Sequence, residues 1–286
     1  MASLHRDPPP PPAPEPFNLA AHVLARAEAL SGRTALAIVS PTGASRWRYG
    51  EVLRAVQGIA AGLRAQGLAP GDRLLMRLGN EVEFPLAFLG AIWAGVVPVP
   101  ASAALTVPEI TTLAAALRPR AIVAAPGISL PEGGEAPVIP ALALREMETE
   151  GPVAPDEGPA DRPAFIVYTS GSSGWPRGVV HAHRAVWARR MMWTDWYGLR
   201  ADDRLLHAGA FNWTYTLGTG LLDPWAMGAT ALVPAEGVAP GQLPLLLKRF
   251  DATIFAAAPG VYRQMLRATP RIDAPKLRHG LSAGEA

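Results

Sequence analysis

Apolar positions along this chain fall into short continuous runs, separated by stretches where they recur three or four residues apart. Val52, Val56, Ile59, Ala60 and Leu63 have helical spacing and predict an amphipathic helix over residues 51–66, stopped by Gly67. Asn18 reads as the cap of a helix to residue 30, with Ala21, Leu24, Ala25 and Ala29 on one face. Residues 84–94 predict a wholly apolar helix, and Pro108 opens another that runs to residue 117. Further helices are expected over 183–196, 217–226, 242–250 and 259–267. The apolar runs 73–78, 96–99, 121–125, 229–233, 253–257 and 277–282 predict strands, and Leu205 and Leu206 sit in another. Residues 36–39 and 46–49 predict a hairpin around Pro41, Thr42 and Gly43. Helix alternating with apolar strand gives an α/β fold, with mainly parallel sheets covered by helices.

Two stretches break the alternation. Residues 8–16, PPPPPAPEP, make residues 1–16 a proline-rich, extended and disordered leader. Residues 128–161 are rich in Pro, Gly, Glu and Ala and read as an irregular connection between two α/β runs of one domain, 17–286.

Composition narrows the classes. The chain is 49% hydrophobic and 17% charged, enough apolar residues for a substantial core. It has no cysteine, which excludes disulfides, a thiolate nucleophile and a cysteine metal site, and agrees with a cytoplasmic, reducing compartment. Net charge is +2, and the one tight basic cluster, Arg184, Arg189 and Arg190, reads as a solvated helix face; no nucleic-acid motif is visible. The uncharged stretch 84–108 has the length of a membrane helix, but its four prolines argue for a buried helix followed by a strand, with no membrane span. His181 and His183 form one His-x-His with no third ligand at metal spacing, so a structural or pocket-lining role is preferred and no metal site is assigned.

Two segments carry chemistry. In residues 165–184, FIVYTSGSSGWPRGVVHAHR, an apolar run meets glycines, hydroxyls and a cation, then a helix-like segment. Main-chain N–H groups brought close by glycine, four hydroxyls and one guanidinium suit a polyphosphate. No Gly-Lys-Ser/Thr closes the loop, so it is not a Walker loop; a plain Gly/Ser linker is the competing reading. In residues 211–218, FNWTYTLG, aromatic and polar groups alternate between a strand and a helix. That mixture suits an apolar or aryl carboxylate, and it equally suits plain core packing.

Residues 168–178, YTSGSSGWPRG, resemble the phosphate-loop signature of the adenylate-forming superfamily of acyl-CoA and aryl-CoA ligases, usually YTSG[ST]TGxPKG. Arg177 stands where the family most often has lysine, so a fork-shaped guanidinium replaces a point charge. Tyr215–Gly218 is similar to the segment lining the acyl pocket of benzoate–CoA ligases, which tend to have glycine where this chain has Thr216, so the pocket would be reshaped. Residues 256–262, AAAPGVY, and 282–286, SAGEA, resemble further family segments in the family's order.

The resemblance implies the N-terminal large-domain portion of the ligase fold, covering roughly residues 17–286, with the C-terminal part missing. It implies ATP phosphates held by Thr169, Ser170, Gly171, Ser172, Ser173, Gly174 and Arg177, and adenine beside Gly284, Glu285 and Ala286. It also implies an acyl pocket of Phe211, Trp213, Tyr215 and Gly218. The partner would be a small carboxylate, an aromatic acid among the options. In the family reaction the carboxylate attacks the α-phosphorus of ATP to give acyl-AMP, and CoA then displaces AMP. The family's magnesium-holding Glu, ribose-binding Asp, hinge and lid with its catalytic Lys would lie beyond Ala286. Mg2+ and CoA are therefore implied by the family alone, and no catalytic residue is assigned here. Two other readings stand beside the ligase: a non-catalytic nucleotide-binding fragment or decayed gene product, and a domain that delivers acyl-AMP to a carrier protein. The 286-residue chain alone is expected to form acyl-CoA poorly. Robust CoA-ester formation by purified chain, free of contaminating ligase, would overturn this.

Overall fold

The structure, a computed structural model, describes residues 11–170, 176–269 and 271–284. Asn18 Oδ1 accepts from the N–H groups of Ala20 and Ala21 and caps α1 (Leu19–Val23). The helix expected to reach residue 30 ends at Val23. Ala25, Ala27 and Ser31 donate three residues back instead of four, and these tighter turns keep Leu24 and Ala27 buried. β1 (Thr34–Val39) and β2 (Ala44–Arg48) form the expected hairpin. In α2 (Tyr49–Ala65) the face read from its spacing is buried, and Tyr49 donates its hydroxyl to Ala229 O at 2.6 Å. β3 (Arg73–Arg77), α3 (Glu83–Trp93), β4 (Val97–Pro100), α4 (Val107–Leu117) and β5 (Ala121–Ala124) follow. The stretch read as irregular contains β6 (Val138–Pro140) and α5 (Ala141–Met147), anchored by buried Leu144 and Met147.

Next come β7 (Pro163–Ser170), β8 (Pro176–Ala182), α6 (Ala185–Asp195) and β9 (Arg204–His207). A π-helical turn (Thr216–Leu222) runs into α7 (Asp223–Met227), then β10 (Thr230–Pro234) and a 3-10 turn (Pro240–Gln242). α8 (Leu243–Arg249), β11 (Ile254–Ala257), α9 (Pro259–Ala268) and β12 (His279–Ser282) complete the fold. One expectation is corrected here. The glycine-rich loop leads into a strand, not a helix: β7 and β8 pair antiparallel from Phe165 opposite His181 to Ser170 opposite Pro176.

A six-stranded sheet has the order β12-β11-β9-β10-β1-β2, parallel except at β2. A parallel four-stranded sheet has the order β4-β3-β5-β6, and the β7–β8 hairpin lies alongside β4. Neighbouring side chains on a strand point to opposite faces, and the core sorts accordingly. Ala37, Leu206, Leu232 and Phe255 pack on Leu243, Leu246 and Leu247 of α8 and Met265 of α9. Leu36, Ala231 and Val233 face the other way, toward Val56, Ile59, Phe88 and Trp225 on the helices between the sheets. Leu74, Met76 and Val123 close that layer from the second sheet. The far face of that sheet presents Leu75, Val99 and Ile122 to Ile110, Leu113 and Leu117 of α4. Each large apolar side chain buried in these layers contributes about 1.5–3 kcal/mol.

Among the described residues no helix is long and apolar enough to cross a membrane, and residues 84–93 lie in the buried helix α3. Of the proline-rich leader, residues 11–16 lie against the body: Trp187 Nε1 donates to Pro11 O at 2.9 Å. Phe17 N–H donates to Gly158 O at 2.9 Å.

His183 is buried, and its Nδ1 accepts the Leu19 N–H at 2.9 Å at the start of α1. Burial, and then the Arg162 charge, hold its pKa down at about 3, against 6.5 for a free imidazole. The unfolded chain therefore binds this proton more readily than the folded one. Its stabilising share is complete above pH 6.5 and is lost as pH falls toward 3. The urea midpoint is expected to drop between about pH 6.5 and 5, with up to about 1.4 kcal/mol per pH unit from this group. His183→Asn keeps an acceptor for Leu19 and should lower that slope by this group's share; an unchanged slope in the variant contradicts the assignment.

Candidate functional site

In the six-stranded sheet β9 is flanked by β10 on one side and β11 on the other. The chain passes from β9 to β10, then crosses back over β9 to β11 and on to β12. The carboxyl end of the β9–β11 pair is thus a topological switch point, where open α/β sheets bind ligands. The four-stranded sheet has the same kind of switch between β3 and β5. There the buried Arg77 side chain fills the crevice. It donates to Ser129 O at 3.0 Å, Leu105 O at 3.1 Å and Ser102 O, and so ties down the loops after β4 and β5. Among the described residues no buried arginine bridges the loops of the β9–β11 edge in this way.

The loop leaving β9 is held from across the molecule. Asn80, just after β3, donates Nδ2 to Gly209 O at 2.9 Å and accepts the Phe211 N–H on Oδ1 at 3.0 Å. Phe211 itself is buried and stacks on Phe84, with centroids 4.9 Å apart and planes at 14°. The structure therefore places Phe211 in the core, as the anchor of this loop. Trp213 is 52% exposed on its outer side. Tyr215 lies edge-on to His207, with ring centroids 4.6 Å apart. Gly218 lies inside the π-helical turn under Arg189: a Cβ there would come within 2.4 Å of the guanidinium carbon. Of the four expected pocket residues, Tyr215 lies beside His207 and Gly218 beside Arg189, whereas Phe211 is in the core and Trp213 is largely exposed.

Sequence reasoning did not single out Arg189, Asp223 and His207 as site residues. Arg189 was expected on a solvated helix face. Instead its Nε and Nη2 reach Asp223 at 2.8 and 2.5 Å, and Nη2 reaches Thr219 Oγ1 at 3.0 Å. Tyr197 donates its hydroxyl to Asp223, whose side chain is 0% exposed. The available signal was Asp223 itself, a carboxylate at the end of the apolar run LGTGLL, which demands a cationic partner. Burial works against the Arg189 charge, but Asp223 outweighs it and holds the guanidinium above its ordinary pKa. Burial, and then Arg189, push His207 down to about 3, so its imidazole is neutral at working pH. Burial raises the Tyr215 hydroxyl.

The hairpin brings Thr169 directly opposite Arg177, both exposed, at the mouth of the glycine-rich loop. Ser170 ends β7, while Gly171, Ser172, Ser173 and Gly174 lie outside the described residues. On β8, His181 stacks on Phe165 with centroids 4.5 Å apart, and burial and then Arg189 lower its pKa. The Arg189 charge is thus felt at His181, near the base of the hairpin. After β12, Gly284 has φ +118°, a backbone that a side chain would strain; Glu285 and Ala286 lie outside the described residues. Tyr262 Oη lies 3.0 Å from both Phe255 O and Leu281 O, fixing the ends of β11 and β12 side by side. Among the described residues no group of three His, Cys, Asp or Glu side chains could hold a metal ion. The edge thus offers neutral hydrogen-bonding groups and an aromatic wall, with hydroxyl and guanidinium groups on the hairpin.

The AMP-binding enzyme family matches residues 24–286. The benzoate–CoA ligase of Thauera aromatica is 32% identical, over 96% of this chain and 55% of its own length. The 4-hydroxybenzoate–CoA/benzoate–CoA ligase of Rhodopseudomonas palustris is 31% identical, over 83% of this chain and 48% of its own. A benzoate CoA ligase structure from Burkholderia xenovorans superposes with a TM-score of 0.79 at 28% identity, covering 94% of this chain and 56% of that one. The chain spans about half the length of the curated relatives it matches. With strand order, phosphate-loop motif and these matches in agreement, the chain belongs to the AMP-binding enzyme family and has the N-terminal domain fold of adenylate-forming ligases.

Proposed function

We propose that this chain binds ATP and an aromatic carboxylate and serves the adenylating half of an acid–CoA ligase. The observation that carries the reading is convergence at one sheet edge. Tyr215 and Gly218 after β9 and Gly284 after β12 all follow strands of the β9–β11–β12 switch point, and the Arg189 charge beside them is felt at His181 on the hairpin. The names of the relatives, benzoate and 4-hydroxybenzoate ligases, support an aromatic acid.

In this reading Thr169, Ser170 and Arg177, with the loop residues Gly171, Ser172, Ser173 and Gly174, hold the phosphates. Gly284, Glu285 and Ala286 lie against adenine. Tyr215 and Gly218 line the acid's ring, Trp213 stands at the mouth, and Phe211 fixes the loop. A carboxylate oxygen forms a bond to the α-phosphorus of ATP, and pyrophosphate leaves with the electron pair of the α–β bridging oxygen. The chain contributes by positioning the two reactants and by placing the Arg177 charge on the departing phosphates. Mg2+ keeps much of its shell from phosphates and water and needs few protein carboxylates. Transfer of the acyl group from AMP to CoA completes the proposed ligation.

Two outcomes are expected. A stable aryl-adenylate analogue binds the chain one to one and competes with ATP in calorimetric titration; no binding to folded chain contradicts the reading. Arg177→Ala weakens ATP by about tenfold or more, the worth of a charge-assisted hydrogen bond. Unchanged affinity removes Arg177 from the phosphate site.

A further inference from the structure

Both ring nitrogens of His207, Thr216 Oγ1 and the Tyr215 hydroxyl are buried with no hydrogen-bond partner among the described residues. They form one cluster. Tyr215 contacts the His207 ring, and a Cβ on Gly209 would stand 2.4 Å from Thr216 Oγ1 and 3.0 Å from His207 Cε1. Glycine at 209 is what lets the threonine and the histidine approach each other. Thr216 opens a π-helical turn, a geometry that recurs at functional sites.

Buried polar groups are nearly always paired, and leaving one unpaired is costly. Four such atoms lie on residues at and just after the carboxyl end of β9, the kind of edge where open α/β sheets take ligands. The charges here are already balanced. Arg189 is committed to both oxygens of Asp223, and His207 is neutral. A second carboxylate on the ligand would find no uncommitted cation in this cluster, and an unsubstituted ring would leave the donors and acceptors unmatched.

We propose that this cluster selects an aromatic carboxylate bearing a neutral hydrogen-bonding substituent, a ring hydroxyl or amine, with Thr216 and His207 as the specificity-determining residues. The proposal rests on the adenylate reading given above.

The test is calorimetric titration of the chain with stable sulfamoyl analogues of five adenylates: those of benzoate, 3-hydroxybenzoate, 4-hydroxybenzoate, 4-aminobenzoate and terephthalate. At least one hydroxy or amino analogue is expected to bind about tenfold or more tighter than the benzoyl analogue, and terephthaloyl weakest. In Thr216→Val that ratio falls toward one, while Thr216→Ser, which keeps the hydroxyl, retains it. Equal affinities across the wild-type series overturn the proposal and leave adenylate binding standing. Tightest binding of the terephthaloyl analogue, or loss of the ratio in Thr216→Ser, also overturns it. Binding of none of the five to folded chain overturns the adenylate reading and the proposal with it.

Discussion

Asp223 carries a carboxylate with no exposed surface, and the shape of the site depends on how that charge is met. Arg189 meets it with two donors and Tyr197 with a third, while Thr219 Oγ1 accepts from Arg189 Nη2. Removing one partner of a buried pair costs about 3–5 kcal/mol, because the other charge stays buried alone. The pair therefore locks α6 to the π-helical turn and α7. It explains why position 218 is glycine, since the guanidinium occupies the space a side chain would take. It also adds to the burial that keeps the imidazoles of His181 and His207 neutral.

The other constraint is the tie between sheets. Asn80 and the Phe84–Phe211 stack hold the loop after β9 from the far side of the central helix layer. The same switch-point topology occurs twice in this fold, and the two copies have been used differently. Arg77 closes the β3–β5 crevice with bonds to carbonyls, which makes that end structural. At the β9–β11 end the loop is pinned at Phe211, and beyond it His207, Tyr215 and Thr216 carry buried polar atoms with no partner among the described residues.

Periodicity made most of the sheets and helices legible, because strands such as β3, β5 and β11 are buried on both faces and read as continuous apolar runs. It failed at β8, where Val179 and Val180 are both exposed, at 42% and 56%, so no alternation marks the strand. It failed at β6 for a related reason: of its residues only Ile139 is buried. The glycine-rich motif marked the turn between β7 and β8, and Tyr215 and Gly218 marked the segment after β9. His207, Arg189 and Asp223 were illegible because they are far apart in sequence and meet only when α6, β9 and α7 pack. Phe211 looked like a pocket wall because an aromatic anchor and an aromatic wall have the same composition.

The most direct test of the account is a crystal structure of the chain with a stable aryl-adenylate analogue. The account predicts the acyl ring against Tyr215 and Gly218 at the carboxyl end of β9, with the phosphate side toward Thr169 and Arg177. An analogue seated at the β3–β5 edge, or anywhere away from β9 and β11, would contradict it.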